Sequence, residues 1–437
     1  MKKRIVSAML VAVMVLFSVV PVFAEEAPET SPSVPPAIEN VGAATVYNIE
    51  NDIYIYNHNA DKVIYPASTV KLMTAIVAVE ALGGELWREV MVSSKALEGV
   101  RGNNIALKRG EVLTVEQLLL ALICGSANDA ANILAFEVAG SVEAFVDMMN
   151  AKAKEIGAVN THYTNPSGLH DPAMVTTARD TALIAAYAYK TDPITEMSTL
   201  EKFTLPKTNK AKERTVFNKN HFYSTLTEYL YIWDIPRGLN AGYTEEGGYC
   251  LATTATRDGL TYVVVTMEAT RDEEYIYSYT EAAELIKWAF DAYEYTDVLS
   301  TSEMICELPV RLSSKVDYVT LFPAEPVELY LPAGINVDDD VKLEWTLSRE
   351  SFTAPVSEGE VAGKITVSYE GKELATVDLV TRNNVNRDNI LYVLDIILGL
   401  TRTRTFKTLA TLAVLALVAY IAVIVYITVQ RNKYKKR

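Results

Sequence analysis

The sequence predicts an α/β (α+β) body built on an antiparallel sheet flanked by helices, followed by a small all-β domain and one C-terminal transmembrane helix. Three observations lead there. Strand-like segments sit at both ends of the first 300 residues, with helical periodicity between them. Near residue 300 the text changes to short period-two runs separated by Gly, Pro and Asp. Close to the end, Leu409–Val429 carries no charged residue. At 1.5 Å per residue that run spans about 31 Å, enough to cross a bilayer core.

In chain order, residues 1–24 have the layout of a secretory signal. Lys2, Lys3 and Arg4 precede an apolar run that ends in Val22-Phe23-Ala24. An uncleaved N-terminal anchor would show the same features. Residues 25–40, "EEAPETSPSVPPAIEN", have the composition of a solvated linker. The body is assigned to 41–297. There Ala44–Asn48 and Asp52–Tyr56 alternate around a short turn as a strand pair. "TVKLMTAIVAVEAL" (69–82), Val115–Ile123, Asp129–Ala139 and Val142–Ile156 repeat with helical period. Tyr262–Met267 reads as a strand and Glu281–Tyr293 as an amphipathic helix.

Residues 298–386 form the small β-sandwich module, with "VELYLPAG", "VKLEWTL" and "GKITVSYEGKELATVDLV" as its strands. Residues 387–407 are juxtamembrane, and the apolar stretch Asn389–Leu400 suits the bilayer surface. The membrane helix is placed at 408–429 and a basic tail at 430–437. That tail holds Arg431, Lys433, Lys435, Lys436 and Arg437, against Arg402, Arg404 and Lys407 on the near side. The excess of positive charge puts the tail in the cytoplasm and the body outside, on a single-pass cell-membrane protein.

The formal charge is −15; the signal carries three basic residues and the tail five, so the exported part carries about −23. Such a surface repels polyanions, which argues against nucleic acid as a partner. Cys124, Cys250 and Cys306 show no pairing pattern and read as buried free thiols. The four histidines have no metal-ligand spacing, and no metal or cofactor is expected.

Two short motifs carry chemistry. In "YPASTVKLMTA", Ser68 and Lys71 lie three apart at a helix start, so they share a face. A partly desolvated lysine can take the proton from a serine hydroxyl, and the helix N-terminus offers N–H groups to a developing oxyanion. In "LICGSANDAANILA", Ser126-Ala127-Asn128 breaks two apolar helical runs, with Asp129 placed to cap the second. A hydroxyl and an amide lifted into a cleft could move a proton and hold a peptide. Alone, each motif also fits a capped surface helix or a helix–helix turn.

Taken together, Ser-x-x-Lys, then Ser-x-Asn, then the glycine-bearing strand "GLNAGYTEEGGYC" follow the order of the penicillin-recognising serine enzymes. "PASTVKLMTA", "FVDMMNAKAKEIGAVNTHYTNPSGLHD", "TTARD" and "APVSEGEVAGKITV" resemble the low-molecular-mass D-alanyl-D-alanine carboxypeptidases over roughly residues 40–385. The resemblance implies a penicillin-binding, β-lactamase-like transpeptidase domain. It further implies Ser68 as nucleophile, Lys71 as general base and Ser126 as proton carrier to the leaving amine. Asn128, Asn240, Ala241, Gly242 and Tyr243 would bind substrate, and the N–H groups of Ser68 and Tyr243 would form the oxyanion hole. The implied partners are peptidoglycan stem peptides ending in D-Ala-D-Ala, and β-lactam antibiotics.

One departure stands out. The family's third motif is Lys-Thr-Gly; Gly238, Gly242, Thr244, Gly248 and Tyr249 match its setting, but Asn240 and Ala241 replace the lysine and threonine. Losing one partner of a desolvated charge pair commonly costs ~2–5 kcal/mol. Without that cation Lys71 is also expected to be protonated more often. Arg237 points the wrong way for a simple swap, while Lys219 and Arg271 lie on neighbouring segments that could reach in. The expected activity is a membrane-anchored serine carboxypeptidase, weakened by this loss. The alternative is an impaired pseudoenzyme that binds wall peptide or a protein partner. A β-lactamase fits less well, since the β module and membrane helix match the carboxypeptidases.

Overall fold

A computed structural model describes residues 34–223 and 236–434. The signal segment, most of the linker and the last three basic residues therefore lie outside the described residues. The chain divides into two compact units: residues up to Glu294 with Pro332–Gly334, and Tyr295–Leu331 with Ile335 onward.

The first unit is built on β1 (Ala43–Asn48) and β2 (Ile53–His58), helices α1 (Val70–Ala81), α2 (Val115–Ile123), α3 (Asn128–Ala139), α4 (Val142–Ile156) and α5 (Ala178–Tyr189), strands β3 (Asn240–Thr244), β4 (Gly248–Arg257) and β5 (Leu260–Ala269), and helix α6 (Tyr277–Ala292). The five strands form one sheet in the order β2-β1-β5-β4-β3, antiparallel throughout, which leaves β3 as an edge. This is the expected α+β class.

Local sequence explains most of these elements. Thr114 and Gln117 close a capping box on α2, Ser141 caps α4 and Thr177 caps α5. Helix α1 is buried over nearly its whole length, in keeping with a sequence that is apolar all round. Three details differ from expectation. Every residue of β1 is buried, polar Thr45 and Asn48 included, because β1 lies between two strands and under helices. Thr45 Oγ1 donates to Tyr56 O and Asn48 Oδ1 accepts from Asn51 N, while Asn48 Nδ2 has no hydrogen-bond partner among the described residues. Helix α6 begins at Tyr277, a turn earlier than its amphipathic pattern shows, and Tyr293 already opens a strand. Helix α5 has no clear period in its alanine-rich text, so tertiary burial and the Thr177 cap define it.

The second unit holds a six-stranded sheet in the order Val341–Leu347, Val361–Tyr369, Lys372–Thr381, Tyr318–Pro323, Cys306–Arg311, Phe352–Thr353. Leu308, Val310, Ile365, Val367, Val377 and Leu379 form its core, as period-two alternation requires. Beyond the sheet, helix α7 (Asn389–Arg402) starts where the Asp388 carboxylate accepts from the N–H groups of Ile390 and Leu391. Ile390, Val393, Leu394 and Ile397 on α7 are exposed. Helix α8 (Arg404–Tyr434) follows, and its Arg404–Asn432 part, with a peak mean hydropathy of 2.8, is long and apolar enough to cross a membrane.

Candidate active site

Ser68 lies in a short 3-10 turn, Ala67–Thr69, that leads into α1. Lys71 follows one turn later and is fully buried. Its Nζ donates to Ser68 Oγ across 3.0 Å and also to the Ser167 carbonyl. Burial alone pushes the Lys71 amine from 10.5 down to about 7. The expectation that Lys71 would stay protonated without a second cation therefore meets an opposing force: desolvation already favours the neutral amine.

Two glycines clamp the nucleophile's backbone. A Cβ on Gly242 would come 2.5 Å from Ser68 Cβ, and one on Gly168 would collide with the Ala67 carbonyl and lie 3.1 Å from Ser68 Cα. Only glycine allows these approaches. The contact through Gly242 sets edge strand β3 directly beside Ser68.

Ser126 sits between α2 and α3 with φ +51, a left-handed backbone that a non-glycine residue adopts only when held there. Asn128 is buried, and its Nδ2 donates to the Arg101 carbonyl at 2.7 Å. Helix α3 starts at Asn128 rather than being capped by Asp129. The Asp129 carboxylate instead accepts from the N–H groups of Ile105 and Leu107.

A cleft of about 310 Å³ brings Ser68, Ser126, Ala241, Gly242 and Tyr243 together, with Asn103, Lys219 and His221 on the same wall. Lys71 and Asn240 are buried and do not line it, and Asn128 beside Ser126 keeps only 6% exposure. Asn240 is 2% exposed, and among the described residues neither of its side-chain amide atoms has a hydrogen-bond partner. Of the three cations weighed as substitutes, Lys219 is on the wall; Arg237 and Arg271 are not. The Arg271 guanidinium lies 5.9 Å from the Tyr249 ring centroid. Lys219 is held by its own N–H, which donates to the Cys124 carbonyl. A second groove of about 400 Å³ adjoins and shares Asn103 and Lys219. Cys124 and Cys250 are buried free thiols pushed up to about 12 by burial, whereas Cys306 is only half-buried.

The motifs miss Asn103 and Ser167. Asn103 lies in a loop without periodicity, and Ser167 acts through its carbonyl, which no side-chain motif reports. Chemically, the cleft offers a serine hydroxyl, a buried amine in hydrogen-bond contact with it, a second hydroxyl and an exposed cation. That set suits acyl transfer.

Residues 30–271 match the family described as D-alanyl-D-alanine carboxypeptidase, and residues 293–387 match the C-terminal domain of penicillin-binding protein 5. The D-alanyl-D-alanine carboxypeptidase DacF of Bacillus subtilis is 26% identical over 91% of this chain and 98% of its own length. DacA of Haemophilus influenzae, of the same description, is 30% identical over 76% of this chain and 82% of its own. Among solved structures, penicillin-binding protein 5 from H. influenzae superposes with a TM-score of 0.59 at 26% identity, covering 81% of this chain and all of that one. Penicillin-binding protein D2 from Listeria monocytogenes, solved in an ampicillin-bound form, gives 0.50 at 28% identity over 59% of this chain and all of its own. With the first match spanning more than half of its residues, the chain belongs to the D-alanyl-D-alanine carboxypeptidase family of serine peptidases.

Proposed function

We propose that the chain is a membrane-anchored carboxypeptidase that removes the terminal D-alanine from peptidoglycan stem peptides through an acyl-enzyme on Ser68. The observation that carries this reading is the buried Lys71 amine, 3.0 Å from Ser68 Oγ, beside an open cleft. Neutral Lys71 takes the hydroxyl proton as Oγ attacks the carbonyl between the two D-alanines. The oxyanion is received by the N–H groups of Ser68 and Tyr243, a reading supported by the close approach of Gly242, next to Tyr243, to the Ser68 backbone. The C–N bond breaks, Ser126 passes the proton held by Lys71 on to the leaving amine, and water hydrolyses the ester.

In this scheme the terminal carboxylate pairs with Lys219, the exposed cation of the wall. Ala241 offers no hydroxyl and Asn240 no charge, so turnover is slower than a Lys-Thr pair would allow. Asn128, committed through Nδ2 to Arg101, supports the turn, and its carbonyl oxygen is left for the substrate peptide. Helix α8 anchors the chain, with the basic tail in the cytoplasm and the cleft outside.

The test is labelled penicillin on the purified chain in detergent, with Ser68→Ala as control, alongside D-alanine release from a diacyl-D-Ala-D-Ala peptide. A covalent adduct on Ser68 together with release supports the proposal. An adduct without release favours the impaired reading, which the buried, neutral Asn240 supports. The absence of both adduct and release refutes the enzyme.

A further inference from the structure

We infer that Asn103 is a positioning residue that fixes the Ser126 hydroxyl for proton delivery to the leaving nitrogen. The inference rests on the role given to Ser126 in the proposed function. Its basis is the strained turn around that serine. A left-handed backbone is disfavoured for serine, so something must hold it. Asn103, more than twenty residues earlier in the chain, does so from both sides. Its side-chain Nδ2 donates to the Gly125 carbonyl at 2.5 Å and to the Ser126 carbonyl at 2.8 Å. Its own backbone carbonyl accepts from Asn128 N at 2.8 Å.

The two carbonyls that Asn103 gathers are those that bracket the Ser126 φ and ψ torsions. Pulling them towards one donor defines the turn, and the turn defines where the Ser126 side chain stands. Both acceptors are carbonyl oxygens, so only the amide NH2 fits them, and its two hydrogens are both used. Nothing else orients the hydroxyl from the catalytic side: among the described residues no hydrogen bond joins Ser126 Oγ to Ser68 or Lys71. The loop bearing Asn103 is itself anchored, since Arg101 O accepts from Asn128 Nδ2 and the Asp129 carboxylate accepts from Ile105 N and Leu107 N. Asn103 also reaches the cleft wall beside Ser126, close to the reacting atoms.

A residue acting through Ser126 should matter only where the leaving group needs a proton. When an amide C–N bond breaks, the nitrogen must be protonated to depart; a thiolate, with a pKa near 8.5, leaves without one. The experiment measures Ser68 acylation of the full chain in detergent by penicillin and by an N-acyl-D-alanyl thioester. Asn103→Ala is expected to slow penicillin acylation at least tenfold while thioester acylation changes less than threefold. Asn103→Asp keeps the shape but presents only acceptor oxygens to the two carbonyls, and should behave like alanine. The pH profile of the thioester reaction, set by Lys71, should stay in place in both variants. Equal losses with the two acyl donors, or no loss with either, would overturn the inference alone. If the unaltered chain is acylated by neither compound, the proposed function fails and this inference falls with it.

Discussion

The helical wall of the cleft and its strand wall have opposite fates. On the helical wall Lys71 is enclosed, touches Ser68 and is shifted towards neutrality by burial. On the strand wall the backbone is kept to the point of contact through Gly242, yet Asn240 is buried with no side-chain hydrogen-bond partner among the described residues and Ala241 offers a methyl group. The lesson concerns where each function is stored. The neutral amine of Lys71 arises from desolvation, a property of the packed core, and so does not depend on the opposite wall. Anion binding depends on individual charged side chains, and neither Asn240 nor Ala241 carries a charge. A cation elsewhere on the rim, Lys219, is the group that can restore it.

The largest expected effect tests the helical wall. Lys71→Met should lower penicillin acylation about 10²–10⁴-fold, the usual range for a general base. The same change should stabilise the fold by about 1–3 kcal/mol at pH 7, because a buried amine is replaced by an apolar chain of similar size. Folding lowers the Lys71 pKa, so between about 7 and 10.5 the unfolded chain binds the extra proton. Stability contributed by this group therefore rises with pH across that window, and the gain from methionine shrinks as pH 10.5 is approached. In the unaltered chain, acylation should fall about tenfold per pH unit below pH 7 as Lys71 protonates. A flat acylation profile from pH 5 to 8 would remove Lys71 from the role of base.

Next come the strand wall and its substitute. Lys219→Met should raise the KM for a D-Ala-D-Ala peptide about ten- to a hundredfold, the worth of one hydrogen bond to a charged group. It should leave the C-terminally amidated peptide unchanged; equal effects on both peptides would mean Lys219 does not meet the carboxylate. Asn240→Lys with Ala241→Thr should raise acylation at least tenfold, and no gain would show that the rim cation already suffices. Smallest is Asn240→Leu, which removes an unsatisfied buried amide and should add about 1 kcal/mol of stability, read by thermal melting, with acylation unaltered. A loss of acylation there would place Asn240 in the site despite its burial.

What could be read from the chain divides along the same line. The Ser68–Lys71 pair is local, three residues on one helix face, and its spacing was legible. So were the period-two strands of the second unit and the uncharged run within α8. The clamp from Asn103 to Ser126, the Ser167 carbonyl on Lys71 and the place of Lys219 on the wall depend on segments some 20 to 100 residues apart. No period or motif encodes such distances. Asn240 is the instructive case: its alignment is clear from five flanking positions, but whether a side chain of that length reaches the cleft is decided by packing around β3.

Gly168 and Gly242 carry a consequence for antibiotic escape. A common steric route to drug resistance is to enlarge a side chain beside the nucleophile so that a bulky inhibitor no longer fits. At these two positions the first added carbon meets the serine's own turn, so under the proposed function such a change would disable the enzyme together with its β-lactam binding. Positions 241 and 243, on the wall and free of that constraint, are where selection has room to move. A β-lactam whose substituents press on Gly242 and avoid the other two would leave few single-step exits.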